Sequence, residues 1–305
     1  MTFLQMFQSY TFQVVTMGCI LLGIISGVVG SFAVVKKQGL IGDGISHSTL
    51  PGVVIAFLLI GVKDTKMMLL GALIAGLLSA MFVFSIVKNS RVKFDSALAV
   101  VMSVMFGLGT LLLSYSQSMP NANQAGLKNY IYGQAANMLS TDVEAMLFVG
   151  AIVLIIVMLF WKEMKLVAFD SEYAITIGYN VSFVNALMIL LLVLAIIIGI
   201  QTVGVILMSA MLIAPAVAAR QWTNKFSVMV ILSAVFGAVS GGVGSLISIM
   251  DNKLATGPII VVVATFIAMF SILLSPKRGV VYKLNQRKKN KKEFEKMGGE
   301  INDVA

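Results

Sequence analysis

Long apolar runs separated by short polar segments make up most of this chain. The runs are about 20 residues long, which is the length that crosses a hydrocarbon layer as an α-helix, and they lack the alternating polarity of a membrane β-strand. A helix also satisfies all of its backbone polar groups within its own segment, as the hydrocarbon demands. The pattern predicts nine transmembrane helices, at 14–35, 43–62, 67–87, 95–115, 143–161, 181–200, 202–219, 226–249 and 257–275.

Composition agrees with this pattern. Of 305 residues, 59% are hydrophobic and only 11% are charged, and the mean hydropathy is +0.97. These values exclude a soluble protein. The predicted fold class is an all-α integral membrane protein, a polytopic bundle of about eight to nine transmembrane helices. We divide it into a transmembrane domain, 1–276, and a basic cytoplasmic tail, 277–305.

The basic residues fall mainly on alternate connections between the predicted helices. If the first connection is cytoplasmic, 18 of the 22 Lys and Arg residues lie inside and four lie outside, the latter being Lys63, Lys66, Lys128 and Lys253. Cytoplasmic loops carry such an excess. We therefore predict a multi-pass protein of the bacterial cytoplasmic membrane with its N-terminus outside and its C-terminus inside. The net charge of +9 therefore reflects this sidedness and not a nucleic-acid partner. The basic cluster 287–292 of the tail is either solvated, which we favour, or in contact with anionic lipid headgroups or a cytoplasmic partner.

Candidate chemistry is concentrated at the start of the second predicted helix. Asp43 and His47, the single histidine, are four residues apart, which places them on one helix face where they can share a cation. Carboxylate and imidazole suit manganese, zinc or ferrous iron. Because two ligands are too few for a closed site, a two-fold dimer would be needed to supply the rest.

Two other interpretations apply to the same segment. In one, Asp43 caps the helix start, His47 hydrogen-bonds to it, and the hydroxyls of Ser46, Ser48 and Thr49 satisfy backbone groups. In the other, small residues and proline loosen the helix where it lines a polar pathway. The residues predicted to shape the helix in this way are Gly42, Gly44, Pro51 and Gly52.

The run from Leu40 to Gly52 resembles the signature of the permeases of manganese, zinc and iron ABC importers, commonly G-D-A-x-S-H-A-x-x-P-G. Gly44 and Ser48 stand where Ala is usual. The resemblance continues at 203–216, which contains Pro215, and at 254–261, which contains Gly257 and Pro258; we count these three among the helix-shaping residues.

This resemblance implies the fold of a type II ABC importer permease and places Asp43 and His47 in the metal pathway. It also implies a transported divalent metal, which we expect to be manganese rather than zinc or iron, and no permanently bound cofactor. The implied partners are two copies of an ATP-binding subunit, an extracytoplasmic metal-binding protein and a second copy of this chain. The chain has no Gly-rich phosphate loop ending in Gly-Lys-Ser/Thr, so we expect it to hydrolyse no ATP itself.

The long internal connection 162–180 is predicted to contain a short helix, with Asp170 or Ser171 at its cap, Glu172 in its first turn and Gly178 at its end. Its pattern is similar to the coupling helix of the family, which docks on the ATPase. We therefore assign docking to Phe169, Asp170, Glu172, Ala174 and Gly178, with an ordinary interfacial loop as the alternative.

Three questions stay open at this point. A stand-alone transporter that exchanges protons for metal through Asp43 and His47 is a rival function, and a membrane scaffold without transport is another. The pairs Gly23–Gly27 and Gly237–Gly241 permit close helix packing, either within one subunit or at a dimer seam. The external polar segment 118–134 is a candidate contact for a solute-binding protein.

Overall fold

A computed structural model of the protein describes residues 10–61, 64–118, 138–250, 255–276, 279–284, 286, 287 and 290. Within these ranges the regular structure is helical. Twelve helices follow one another along the chain: α1 (Tyr10–Val35), α2 (Ile41–Ser48), α3 (Leu50–Ile60), α4 (Thr65–Asn89), α5 (Phe94–Gln117), α6 (Ser140–Leu159), α7 (Trp161–Phe169), α8 (Ser171–Thr176), α9 (Val181–Val203), α10 (Val205–Trp222), α11 (Phe226–Met250) and α12 (Thr256–Leu274).

Eight segments among the described residues are long and apolar enough to cross a membrane, and α2 with α3 forms one of them. The predicted all-α membrane bundle of eight to nine spans is therefore confirmed. The predicted helix 202–219 corresponds to α10, which is not one of the eight. Its 18 residues at about 1.5 Å each nevertheless extend over about 27 Å, close to the thickness of the hydrocarbon layer.

Polar contacts at one end of the bundle define how the helices run. Lys36 Nζ, just after α1, donates to Asn185 Oδ1 near the start of α9 at 2.6 Å, and Arg220 Nη1 near the end of α10 donates to the Val34 carbonyl at 3.5 Å. The start of α9 and the end of α10 therefore share this end, so the two helices are antiparallel. Gly204, with φ +87°, is the single residue between them, and glycine is the residue that adopts such a φ readily.

The last helix returns to the same end. Ser275 Oγ, directly after α12, donates to the carbonyl of Gln221 in the last turn of α10. The start of α1 and the end of α12 consequently lie at opposite ends of the bundle. This is the arrangement that the predicted orientation requires, although the side of the membrane that each end faces stays a prediction.

The most extensive helix packing among the described residues joins α1 to α11, and we call this contact the α1–α11 seam. A Cβ added to Gly23 would lie 2.1 Å from the Gly237 carbonyl oxygen, and one added to Gly241 would lie 2.2 Å from the carbonyl oxygen of Cys19. Ser233 Oγ donates across the seam to the Gly27 carbonyl at 2.7 Å. Both glycine pairs of the sequence therefore pack within one subunit.

Some predicted features lie outside the described residues. They comprise Lys63, Lys128, Lys253, residues 119–134 of the external segment and most of the tail 277–305. Their assignments stay predictions.

Candidate metal site and docking segment

The short helix α2 carries both candidate ligands and is packed tightly by small residues. A Cβ added to Gly42 would lie 2.8 Å from Leu212 Cδ1 on α10, and one added to Gly44 would lie 2.5 Å from Leu98 Cδ1 on α5. Both neighbouring atoms are the ends of side chains. Glycine thus lets α2 lie directly between α5 and α10, and the loosening role predicted for these glycines stays a prediction.

A break separates α2 from α3 at Thr49, two residues before Pro51. Proline has no backbone N–H to contribute to the helical ladder. On the far side of the break, a Cβ added to Gly52 would lie 2.1 Å from the Gly71 carbonyl oxygen, so Gly52 permits backbone contact between α3 and α4. The other predicted shaping residues lie inside α10 (Pro215) and in the first turn of α12 (Gly257 and Pro258).

The hydroxyl groups of α2 are used within the helix. Ser46 Oγ donates to the Gly42 carbonyl at 2.6 Å, Ser48 Oγ to the Gly44 carbonyl at 2.7 Å, and Thr49 Oγ1 to the Ser46 carbonyl at 2.7 Å. This part of the non-metal interpretation is confirmed. The helix-capping part is wrong, because the cap residue is Leu40 and Asp43 lies inside the first turn.

Asp43 and His47 face each other on one side of α2. His47 Nε2 lies 3.5 Å from Asp43 Oδ1, and the two side chains are 22% and 39% exposed, respectively. The His47 ring packs edge-on against Phe106 of α5, with ring centroids 5.0 Å apart. Ser209 of α10 is a further polar neighbour of the Asp43 carboxylate. The pair therefore lies where α2, α5 and α10 meet, with one side open.

The separation of the two ligand atoms matches a shared cation. Bonds of about 2.1 Å that meet at a tetrahedral angle place two ligand atoms about 3.4 Å apart. Among the described residues no group of three or more His, Cys, Asp and Glu side chains could hold a metal ion. One chain thus offers two ligands, and any further ones must come from water or from another chain.

One atom of the pair has no hydrogen-bond partner within the described ranges. His47 Nδ1 is buried, and no donor or acceptor of those residues reaches it. Buried polar atoms that have no hydrogen-bond partner are rare in folded proteins. Within the described part of the chain, the pair thus combines a buried nitrogen that has no partner with a half-open carboxylate.

The internal connection between α6 and α9 folds as two helices, α7 and α8. Asp170 Oδ1 accepts from the Tyr173 backbone N–H at 2.9 Å and caps α8, and Glu172 lies in its first turn. Gly178, with φ +93°, follows the end of α8, where its N–H donates to Ile175 and that of Tyr179 donates to Ala174. The predicted short helix and both of its boundaries are confirmed, whereas α7 was not predicted.

The predicted docking residues differ in how much of each side chain is exposed. Phe169 is 61% exposed, and Asp170, Glu172 and Gly178 are exposed as well. Ala174 is fully buried, so its side chain packs α8 onto the bundle and presents nothing to a partner. Large apolar side chains that the sequence analysis did not select are exposed beside Phe169. We call the set the docking surface: Phe169, Tyr173, Ile175, Ile177 and Tyr179.

Comparison with known proteins gives a consistent result. Residues 8–275 match the ABC 3 transport family. The chain is 46% identical, over 94% of its length and 96% of the relative, to the zinc transport system membrane protein TroC of Treponema pallidum. It is 44% identical to the manganese transport system membrane protein MntC of Bacillus subtilis, over 89% of this chain and 62% of that protein.

A solved structure extends the likeness to three dimensions. The chain superposes with a TM-score of 0.79 and 32% identity on a chain of PsaBC from Streptococcus pneumoniae, determined in complex with Fab. The match covers 90% of this chain and 96% of that one.

Proposed function

The chain belongs to the ABC 3 transport family, and on that premise we propose that it is the membrane-spanning permease subunit of an ATP-driven importer for a divalent transition metal. The observation that carries the proposal is the Asp43–His47 pair, whose ligand atoms lie 3.5 Å apart on a half-open helix face inside the bundle. Ionisable groups are costly inside a membrane and are retained where they serve transport.

In this proposal the metal is the substrate and passes between two copies of the chain. Each copy contributes one carboxylate and one imidazole from its half-open α2 face, and two copies make a four-ligand site. Water can complete a six-coordinate shell. Manganese, zinc and ferrous iron fit this chemistry, and we favour manganese, because nitrogen and oxygen ligands with bound water suit it and no thiolate is available at the site. The relatives named for zinc and for manganese fit the same range.

ATP hydrolysis takes place on a partner subunit in this proposal. The docking surface, which runs from the end of α7 to the residues just after α8, presents five exposed apolar or aromatic side chains at the end of the bundle where α1, α10 and α12 finish. Closure of two ATP-binding subunits would act on α8 and thereby on α9, because only four residues separate these two helices. An external binding protein delivers the metal to the opposite end.

The test replaces the two ligands without changing the size of the side chains. Asp43→Asn and His47→Gln should each lower accumulation of radioactive manganese at least about a hundredfold, because a first ligand is lost. Co-purification with the ATP-binding subunit should be unchanged. The matched control is Asp95→Asn, which removes an exposed carboxylate from the first turn of α5 and should leave uptake intact.

Two results would count against the proposal. Normal uptake in both ligand variants would refute the site. Uptake that persists in cells without any ATP-binding subunit would favour a stand-alone secondary transporter instead, since an importer of this kind cannot move metal without its ATPase.

A further inference from the structure

Three cations line a cavity of 280 Å³ at the end of the bundle that carries the docking surface. The cations are Lys37, after α1, Arg220, near the end of α10, and Lys225, before α11. The other described residues of the lining include Thr223 and Phe226, and none of them is Asp or Glu. We call this space the basic cavity.

Among the residues that the structure describes, the cations of the basic cavity have no acidic partner. Within the described ranges, the single acid–base pair closer than 4.0 Å is Asp43–His47, so no carboxylate neutralises Lys37, Arg220 or Lys225. Arg220 Nη1 bonds weakly to the Val34 carbonyl at 3.5 Å. Lys37 and Lys225 are exposed. A cavity with this charge attracts an anion that can accept several hydrogen bonds, such as a phosphate group.

An apolar groove of 530 Å³ begins beside the basic cavity and runs along α1, α6 and α11. Its lining is almost entirely aliphatic. The two spaces adjoin through an aromatic pair: Trp161 lines the groove, Phe226 lines the basic cavity, and their rings stack at 5.4 Å with an interplanar angle of 21°. The outer rim is exposed, with Met158 74% and Ile231 65% accessible.

The groove has the length of one lipid leaflet. On α11 its lining extends from Ser227 to Ala238. The eleven steps from Ser227 to Ala238, at about 1.5 Å each, span about 16 Å, whereas half of a hydrocarbon layer measures about 15 Å. The groove therefore begins at one edge of the layer and reaches its middle, as a single acyl chain does.

From this juxtaposition we propose that the chain binds one anionic phospholipid, with its phosphate in the basic cavity and an acyl chain in the groove between α1, α6 and α11. Basic pockets between membrane helices at the cytoplasmic side recognise such headgroups. A carboxylate from the ATP-binding subunit could reach the basic cavity past Phe169, but it would leave the groove unexplained. The lipid accounts for both spaces together.

Native mass spectrometry of the full-length chain in nonionic detergent tests the proposal. The purified protein is titrated with dioleoyl phosphatidylglycerol and, separately, with dioleoyl phosphatidylcholine, which has no net charge. We expect one tightly bound phosphatidylglycerol, with at least tenfold weaker binding of phosphatidylcholine. Glycerol 3-phosphate at millimolar concentration should not compete, because it lacks the chain that fills the groove.

Matched variants locate the lipid. Lys37→Asn combined with Lys225→Gln should weaken phosphatidylglycerol binding about thirtyfold. Asn is chosen at 37 because φ there is +59°, a conformation that Asn tolerates. The control combines Lys88→Gln with Lys93→Gln, which removes the same charge from exposed positions at the junction of α4 and α5 and should leave binding unchanged. Ala238→Leu should weaken the binding of both lipids, because it narrows the groove.

Four outcomes would overturn the proposal. The first is equal affinity for the two lipids, and the second is an equal loss in the test and control pairs. The third is competition by glycerol 3-phosphate, which would make the cavity a site for soluble anions. Loss of the ATP-binding subunit from the Lys37/Lys225 variant, with lipid binding unchanged, would assign the cavity to protein docking and also refute the lipid site. None of these results depends on metal transport, so the proposed function is tested separately.

Discussion

The α1–α11 seam and the helix α2 both depend on glycine for close packing, but the glycines meet different neighbours in the two regions. In the seam, glycine brings backbone against backbone, and the Ser233 hydroxyl is satisfied by the Gly27 carbonyl at 2.7 Å. On α2, glycine faces the ends of side chains, Asp43 is 39% exposed, and His47 Nδ1 has no partner among the described residues. The seam is formed within one chain, whereas we propose that the α2 face is completed by a metal ion and a second copy of the chain.

The largest effect on stability is expected from a substitution that disrupts the seam. Gly237→Ala puts a Cβ 2.0 Å from the Gly23 carbonyl oxygen, which is backbone and cannot rotate away. We expect the free energy of unfolding to fall by about 3 kcal/mol, with much less folded protein recovered. Thermal unfolding of the purified chain in detergent measures it.

The control for this variant is Gly107→Ala in α5, where no atom lies within 4 Å of the new Cβ. That change should leave stability unchanged or raise it by up to about 1 kcal/mol. Equal melting temperatures for the two variants would show that the seam is not closely packed.

A second effect concerns the turn between the two regions, where Lys36 follows α1 and bonds to Asn185. Burial lowers the pKa of Lys36 from 10.5 to about 8. Below pH 8 the folded and unfolded chains both carry the charge, and its burial cost is fully present. Between pH 8 and 10.5 the folded chain binds fewer protons, so the free energy of unfolding should rise with pH.

Lys36→Met should abolish that rise and stabilise the chain at pH 7 by about 2 kcal/mol, allowing for the lost hydrogen bond. Chemical denaturation at pH 7 and pH 9.5 measures the stabilisation and its dependence on pH. The exposed Lys165→Met is the control and should keep the wild-type pH dependence. An unchanged slope in Lys36→Met would contradict the assignment.

A third effect sharpens the α2 side of the comparison. Ser209→Ala removes a polar neighbour of Asp43 and should raise the metal concentration for half-maximal uptake about tenfold, as the loss of an outer-shell partner does. The matched control is Ser79→Ala, because the Ser79 hydroxyl bonds to its own helix at Ala75. Concentration-dependent manganese uptake separates the two, and equal curves would exclude Ser209 from the site.

The smallest effect is expected for Gly42→Ala. The new Cβ would meet Leu212 Cδ1 at 2.8 Å, but this atom is the end of a flexible side chain and can move. Stability should therefore stay within about 1 kcal/mol of the original, in contrast to Gly237→Ala. Thermal unfolding in detergent measures the stability of this variant as well. A loss of stability as large as that of Gly237→Ala would show that α2 is packed as tightly as the seam.

Local patterns explain which parts of the site could be predicted. The spacing of Asp43 and His47 follows from helical geometry, and the cap at Asp170 and the end at Gly178 follow from residue chemistry that acts over three or four positions. Ser209 and Phe106 were not predicted, because each reaches the pair from a helix far away in sequence. The exposed apolar residues Tyr173 and Ile175 could have been selected from the sequence, because large apolar side chains are unexpected in a connection outside the membrane segments.

The sequence by itself determined the membrane class, most of the helix boundaries, the family resemblance and the candidate ligand pair, because hydropathy and helical spacing act over short stretches of chain. Tertiary structure alone decided that the glycine pairs face each other inside one subunit, that Ala174 is buried, and that three cations gather beside an apolar groove. Those facts depend on which helices become neighbours. Such neighbours are set by packing between segments that lie up to two hundred residues apart, as for Gly27 and Ser233.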